Sequence, residues 1–100
     1  MRSKFILAAL LAGIPAFALA QDQTTGRNLA ASCAICHGTE GRAPSKDLVP
    51  LAGMPADYVT RQMSDFRDGK RPATVMHQIA KGYTDAQINA MAAWFAAQKR

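Results

Sequence analysis

The sequence has no alternating apolar and polar run that would make a strand, no internal repeat and no low-complexity tract. Without strands there is no βαβ setting for a C-x-x-C pair to act as a thiol–disulfide redox motif. The chain carries only two cysteines and two histidines. It has no second C-x-x-C and no H-x-x-x-H pair, and adjacent Cys36 and His37 point apart, so a zinc ion would lack a closed tetrahedron of donors. Paired carboxylates are missing too: Asp22, Glu40, Asp47, Asp57, Asp65, Asp68 and Asp85 are scattered singly and read as a solvated face rather than acid–base machinery. Nor is there an apolar run of the ~20 residues that a membrane-spanning helix needs.

The longest uncharged run is Phe5 to Ala20, interrupted by Gly13 and Pro15. Arg2 and Lys4 precede it, and Ala18-Leu19-Ala20 closes it with an A-x-A pattern before the polar Gln21-Asp22-Gln23. These features predict a secretory signal peptide over residues 1–20, cleaved after Ala20, with residues 21–100 as one small exported domain without a membrane span. The expected location is the periplasm. Of the twelve basic residues two fall in the leader, which leaves ten against seven acidic, a formal +3. That surplus is too small to imply nucleic-acid binding.

Cys33-Ala34-Ile35-Cys36-His37 reads C-x-x-C-H, the attachment pattern of a c-type haem. Two thiols three residues apart share one side of a helical turn and can reach the two vinyl groups on one porphyrin edge. His37 follows at once, so its imidazole can bind the iron axially. A Cys33–Cys36 disulfide would close a tiny loop and add little by chain entropy. A bulky apolar group bonded to both sulfurs is a better staple for eighty residues.

The domain is expected to be all-α, with four short helices around one covalently attached haem. The first begins near Thr25, with Thr24 or Thr25 as N-cap, and runs into the motif. Residues 38–54 show no periodicity and read as a loop that wraps the prosthetic group. Pro55 opens a second helix at its first position, and Gly69 closes it. Tyr58, Val59, Gln62, Met63 and Phe66 form one face of that helix. A third helix spans about 73–81, ended by Gly82. The fourth starts at the capping box Thr84-Asp85-Ala86-Gln87 and carries the stripe Ile88, Met91, Ala92 and Phe95. Lys99 and Arg100 suit its negative end.

The second axial position decides the chemistry, since Met or His there makes an electron carrier and an open site makes a gas or peroxide centre. Met63 and Met91 lie on apolar stripes and serve packing. Met54, in the loop, is not excluded by pattern. Met76 has Ile79 at i+3 and Ala80 at i+4, the apolar side of the third helix. His77 lies about 100° further round, with Thr74 and Lys81, and reads as a solvated surface histidine. The helix-face argument favours Met76, whose soft thioether suits ferrous iron. Arg61, Arg67, Lys70, Arg71 and Lys81 together suggest steering toward an acidic partner.

From Thr25 to Gln98 the sequence resembles a class I cytochrome c. The likeness rests on Gly26, Cys33, Cys36, His37, Pro50-Leu51-Ala52-Gly53, Met76 and Trp94-Phe95. Within the class it is most similar to the single-haem cytochrome subunit of flavocytochrome c sulfide dehydrogenase, through the segments from Phe66 to Met76 and from Ile79 to Tyr83. It is also similar to the domains found in tandem in dihaem carriers, although Met54 stands where those usually show glutamine. The resemblance implies one haem c on Cys33 and Cys36, with His37 and Met76 as axial ligands. It implies that the Pro50 carbonyl accepts a hydrogen bond from the free ring nitrogen of His37, and that Gly26 lets the first helix cross closely against Trp94. It further implies one-electron transfer from a flavoprotein partner that oxidises sulfide. A free shuttle between respiratory or photosynthetic complexes is the alternative. A gas- or peroxide-reactive enzyme is the third reading, and Met76 argues against it.

Overall fold

The computed structural model describes residues 16–100, with side chains from Gln23 onward. Residues 1–15 of the expected leader lie outside the described residues. Helix α1 spans Ala16–Ala30, so it starts upstream of Thr25 and passes through the expected cleavage point. Ala16 to Gln23 are mostly strong helix formers, which gives the helix no reason to begin at a threonine cap while they are attached. A 3₁₀ turn, Ala31–Cys33, carries the chain on into α2, Ala34–His37. The backbone stays helical at the junctions Ala30 and Ala34, so the three pieces form one helical stretch. Then come α3 (Ala56–Arg67), α4 (Met76–Ala80) and α5 (Asp85–Ala96). Four helical stretches result, as expected, and no strand occurs among the described residues.

The frame is the crossing of α1 on α5. A β-carbon on Gly26 would lie 2.4 Å from the Ala90 carbonyl oxygen and 3.0 Å from the Trp94 β-carbon. Only a residue without a side chain allows so close a crossing. Ala30, Ile88, Met91 and Phe95 form the core beneath it, with Leu29, Cys33, Leu51, Met63, Tyr83 and Trp94 packed around them. The whole expected α5 stripe is buried. Trp94 and Phe95 meet edge to face at 5.1 Å.

Helix α5 begins as its sequence predicts. The Thr84 hydroxyl accepts from the Gln87 N–H, and the Gln87 side chain accepts from the Thr84 N–H at 2.9 Å. Pro55 precedes α3 as its N-cap, one residue earlier than expected. At the other end of α3, Gly69 takes φ +73°, its N–H reaches the Phe66 carbonyl, and the Lys70 N–H reaches the Asp65 carbonyl at 2.8 Å. That is a Schellman termination, which needs a left-handed residue where Gly69 stands.

Helix α4 is shorter than expected: residues 73–75 are not helical, and Val75 holds φ −131° before Met76 begins the helix. The break falls at Val75, a β-branched residue held extended in φ with no side chain able to cap the helix. Helix α3 binds α5 through the Thr60–Asn89 side-chain bond and through Arg67, whose Nη1 donates to Asp85 at 2.6 Å.

Candidate haem site

Residues 38–54 fold as an irregular loop containing one 3₁₀ turn, Thr39–Gly41. The loop is pinned at three points: the Gly41 carbonyl accepts from the Leu51 and Ala52 N–H groups, and the Gly53 N–H donates to the Phe95 carbonyl. This holds the stretch before Leu51 against the end of α2.

His37, the last residue of α2, is half-buried. Its Nδ1 lies 2.8 Å from the carbonyl oxygen of Val49. The bond requires the proton on Nδ1, which leaves the Nε2 lone pair free for a metal. The acceptor is therefore Val49 and not Pro50, the residue the resemblance implied. Successive carbonyls of an extended chain point opposite ways, so only one of the two can face the ring. Pro50 acts instead on its predecessor, restricting Val49 to extended conformations and so fixing where its carbonyl points. The pre-proline restriction makes Val49's extended backbone legible in the sequence, whereas the contact of its carbonyl with His37 comes from the fold of the loop.

Cys33 is half-buried and packs against the core cluster, while Cys36 is exposed. Burial pushes the Cys33 thiol above its ordinary value, against the lowering effect of its contact with Ser32. Both sulfurs are free of disulfide bonds. The Ser32 hydroxyl sits 3.2 Å from that of Tyr83, just beyond α4, and ties the motif turn to that side of the molecule.

Met76 is the half-buried first residue of α4. Ala80, one turn on, is fully buried, but Ile79 is 42% exposed, so only part of the expected apolar side faces inward. His77 is not the solvated histidine expected: it is half-buried, and its Nδ1 is sealed from water without a hydrogen-bond partner. The expectation failed because Thr74, which defined the polar face, is not on the helix. Met91 is buried in the core and Met63 packs on it, as their stripes predict. Met54 lines an open cleft of 650 Å³ with Leu48, Pro50, Arg42, Lys46 and Arg100, and neither the cysteines nor His37 of the motif line it.

Two of the five cations expected to steer a partner are engaged within the fold. Arg67 bonds Asp85 and Asp68, and the neighbouring Asp85 carboxylate raises its guanidinium above the ordinary value. Arg71 lies on Phe66 and donates to Gln62. Arg61, Lys70 and Lys81 are exposed.

The donor set fits a covalently held haem. It offers two unpaired thiols on one turn, an imidazole with Nδ1 fixed and Nε2 free, and uncovered apolar side chains at Val49, Val75 and Ile79. Among the described residues no group of three or more His, Cys, Asp or Glu could hold a bare metal ion, and no helix is long and apolar enough to cross a membrane.

The family model for cytochrome c matches residues 23–99. Cytochrome c4 of Pseudomonas aeruginosa is 38% identical over 80 residues, covering 80% of this chain and 40% of that protein. The cytochrome subunit of sulfide dehydrogenase of Chlorobaculum tepidum is 39% identical over 74 residues, covering 73% of this chain and 66% of that protein. Cytochrome c-554(548) of Halomonas halodenitrificans is 31% identical over 83 residues, covering 80% of this chain and 100% of that protein. The chain thus spans less than two thirds of the first two relatives. One C-x-x-C-H motif lies inside the matched span, on a helical turn with both sulfurs free, and the chain belongs to the cytochrome c family, with one covalently attached haem c in this span.

Proposed function

We propose that this cytochrome works in the periplasm, after removal of residues 1–20, as the electron-accepting subunit of a flavocytochrome c sulfide dehydrogenase. In this reading Cys33 and Cys36 form the thioethers, and His37 Nε2 and the Met76 sulfur are the axial ligands. When bound, the haem supplies one-electron oxidation and reduction at iron.

The residues do the rest. The Val49 carbonyl holds the Nδ1 proton of His37, which fixes the ring's orientation and makes Nε2 a better donor. Met76 contributes a neutral thioether that favours the ferrous state. Neither ligand gains or loses a proton with the electron. Exposed Arg61, Lys70 and Lys81 provide the positive field that draws in an acidic partner.

The observation that carries the partner is the similarity to a sulfide dehydrogenase cytochrome subunit. The test is isolation of the tagged holoprotein from its native periplasm. A co-purifying flavoprotein that reduces this haem on addition of sulfide supports the subunit reading. A monomer reduced by several unrelated donors, at rates that fall with salt, supports a free shuttle. The similarity to cytochrome c-554(548), whose name carries no dehydrogenase, supports this second reading.

A further inference from the structure

Helix α4 has five residues, Met76–Ala80, far too few to hold itself together in water. Its start has no side-chain cap: Val75 occupies the N-cap position and makes no such bond. Something else must hold Met76, its first residue, in place. Downstream the anchor is plain, because Ala80 is fully buried.

The upstream anchor is Arg71. Its N–H and that of Lys70 both reach the Asp65 carbonyl, at 3.3 and 2.8 Å. Its side chain then turns back onto α3. The guanidinium lies 4.7 Å from the centroid of the Phe66 ring, and Nη1 donates to the Gln62 amide oxygen. Gln62 and Phe66 stand at i and i+4, on one face of α3. The chain leaves this clamp through Pro72, whose φ is fixed, and reaches Met76 four residues later.

We propose that Arg71 is the positioning residue for the sixth haem ligand: its clamp on Gln62 and Phe66 fixes the strand of chain leading to Met76 and so holds the thioether at the iron. The inference rests on Met76 being that ligand. Arginine suits the task because its planar fork stacks and donates at once, whereas a lysine ammonium keeps the charge but cannot do both.

The test uses oxidised holoprotein and two readings: the far-red sulfur-to-ferric-iron absorption band, and the affinity for added imidazole, which must displace Met76. R71L and R71K are both expected to weaken the band and to bind imidazole about tenfold tighter, the factor that 1.4 kcal/mol converts to. Q62L, which removes only the acceptor, shifts both readings the same way by less. R67Q breaks the separate α3–α5 tie; it is expected to lower the melting temperature and leave imidazole affinity unchanged. Wild-type imidazole affinity in R71L and R71K overturns the proposal, as does an equal gain in R67Q. Wild-type behaviour in R71K alone assigns the effect to charge and overturns the clamp. If the wild type itself lacks the band, the ligand reading fails first and the positioning role falls with it.

Discussion

At the scale of single residues, the site depends on which atoms are free. The bond from His37 to Val49 leaves one ring nitrogen for iron, and the other axial donor is proposed to be the sulfur of Met76. M76A should still carry haem, since both cysteines remain, but its reduction potential should fall by roughly a hundred millivolts or more, within the ~0.8 V over which axial ligands move haem potentials. Potentiometry on the purified variant checks this, and an unchanged potential assigns the ligand elsewhere. The two cysteines should also differ. Cys33 packs against the core and Cys36 faces solvent. With one thioether left in each, C33A should be less stable than C36A by about 1–2 kcal/mol, because truncating a packed side chain leaves a gap that an exposed one does not. Chemical denaturation of the two single-thioether holoproteins measures the difference.

At the scale of elements, two glycines test two different causes. Gly26 is required by the α1–α5 crossing, where a β-carbon would press on the Ala90 carbonyl. G26A should cost about 2–3 kcal/mol, in the upper range for overpacking, since the obstacle is backbone and cannot rotate away. Gly69 has open space around its missing β-carbon and is required only by its positive φ. G69A should cost about 1 kcal/mol, the penalty for an alanine in a left-handed cap. Thermal denaturation of both holoproteins orders them, and equal costs would mean the crossing can relax. These elements also mark what the sequence made legible. The capping box of α5, its buried stripe and the glycine end of α3 are local patterns, and each appears where its residues predict. The start of α1 was not legible, because a threonine cap competes poorly with eight upstream residues that extend the helix. The length of α4 was misjudged because Ala73 and Val75 are apolar, and apolar spacing does not separate a helical residue from an extended one just ahead of the helix. The C-x-x-C-H turn is written in adjacent residues. Val49 as acceptor and Arg71 as clamp depend on how a loop and a turn fold back on helices, and no period encodes them.

At the scale of the whole molecule, the question is whether the polypeptide alone holds this arrangement. Among the described residues the buried apolar ones are Ala30, Ala52, Val59, Ala80, Ile88, Met91, Ala92 and Phe95, and half of these are alanines. An alanine methyl contributes only about 0.8 kcal/mol on burial. Among the described residues Ile88 is the one large side chain that is completely enclosed. Meanwhile Val49, Val75 and Ile79 are 49%, 54% and 42% exposed, and Val75 and Ile79 flank the residue proposed to meet the iron. So small a core does not offset the entropy of ordering a chain of this length without a staple. With Met76 as the proposed ligand, the haem would join the turn after α1 to the start of α4, whereas the Ser32–Tyr83 bond ties that turn only to the segment beyond α4. Residues 21–100 produced without haem-attachment machinery should therefore keep partial helicity in the far ultraviolet, lose near-ultraviolet structure and melt without a sharp transition, while the holoprotein melts cooperatively. The comparison requires only circular dichroism on the two preparations. A colourless product with a sharp melt would mean that α1, α3 and α5 form a self-sufficient core and that the haem is a passenger rather than the keystone.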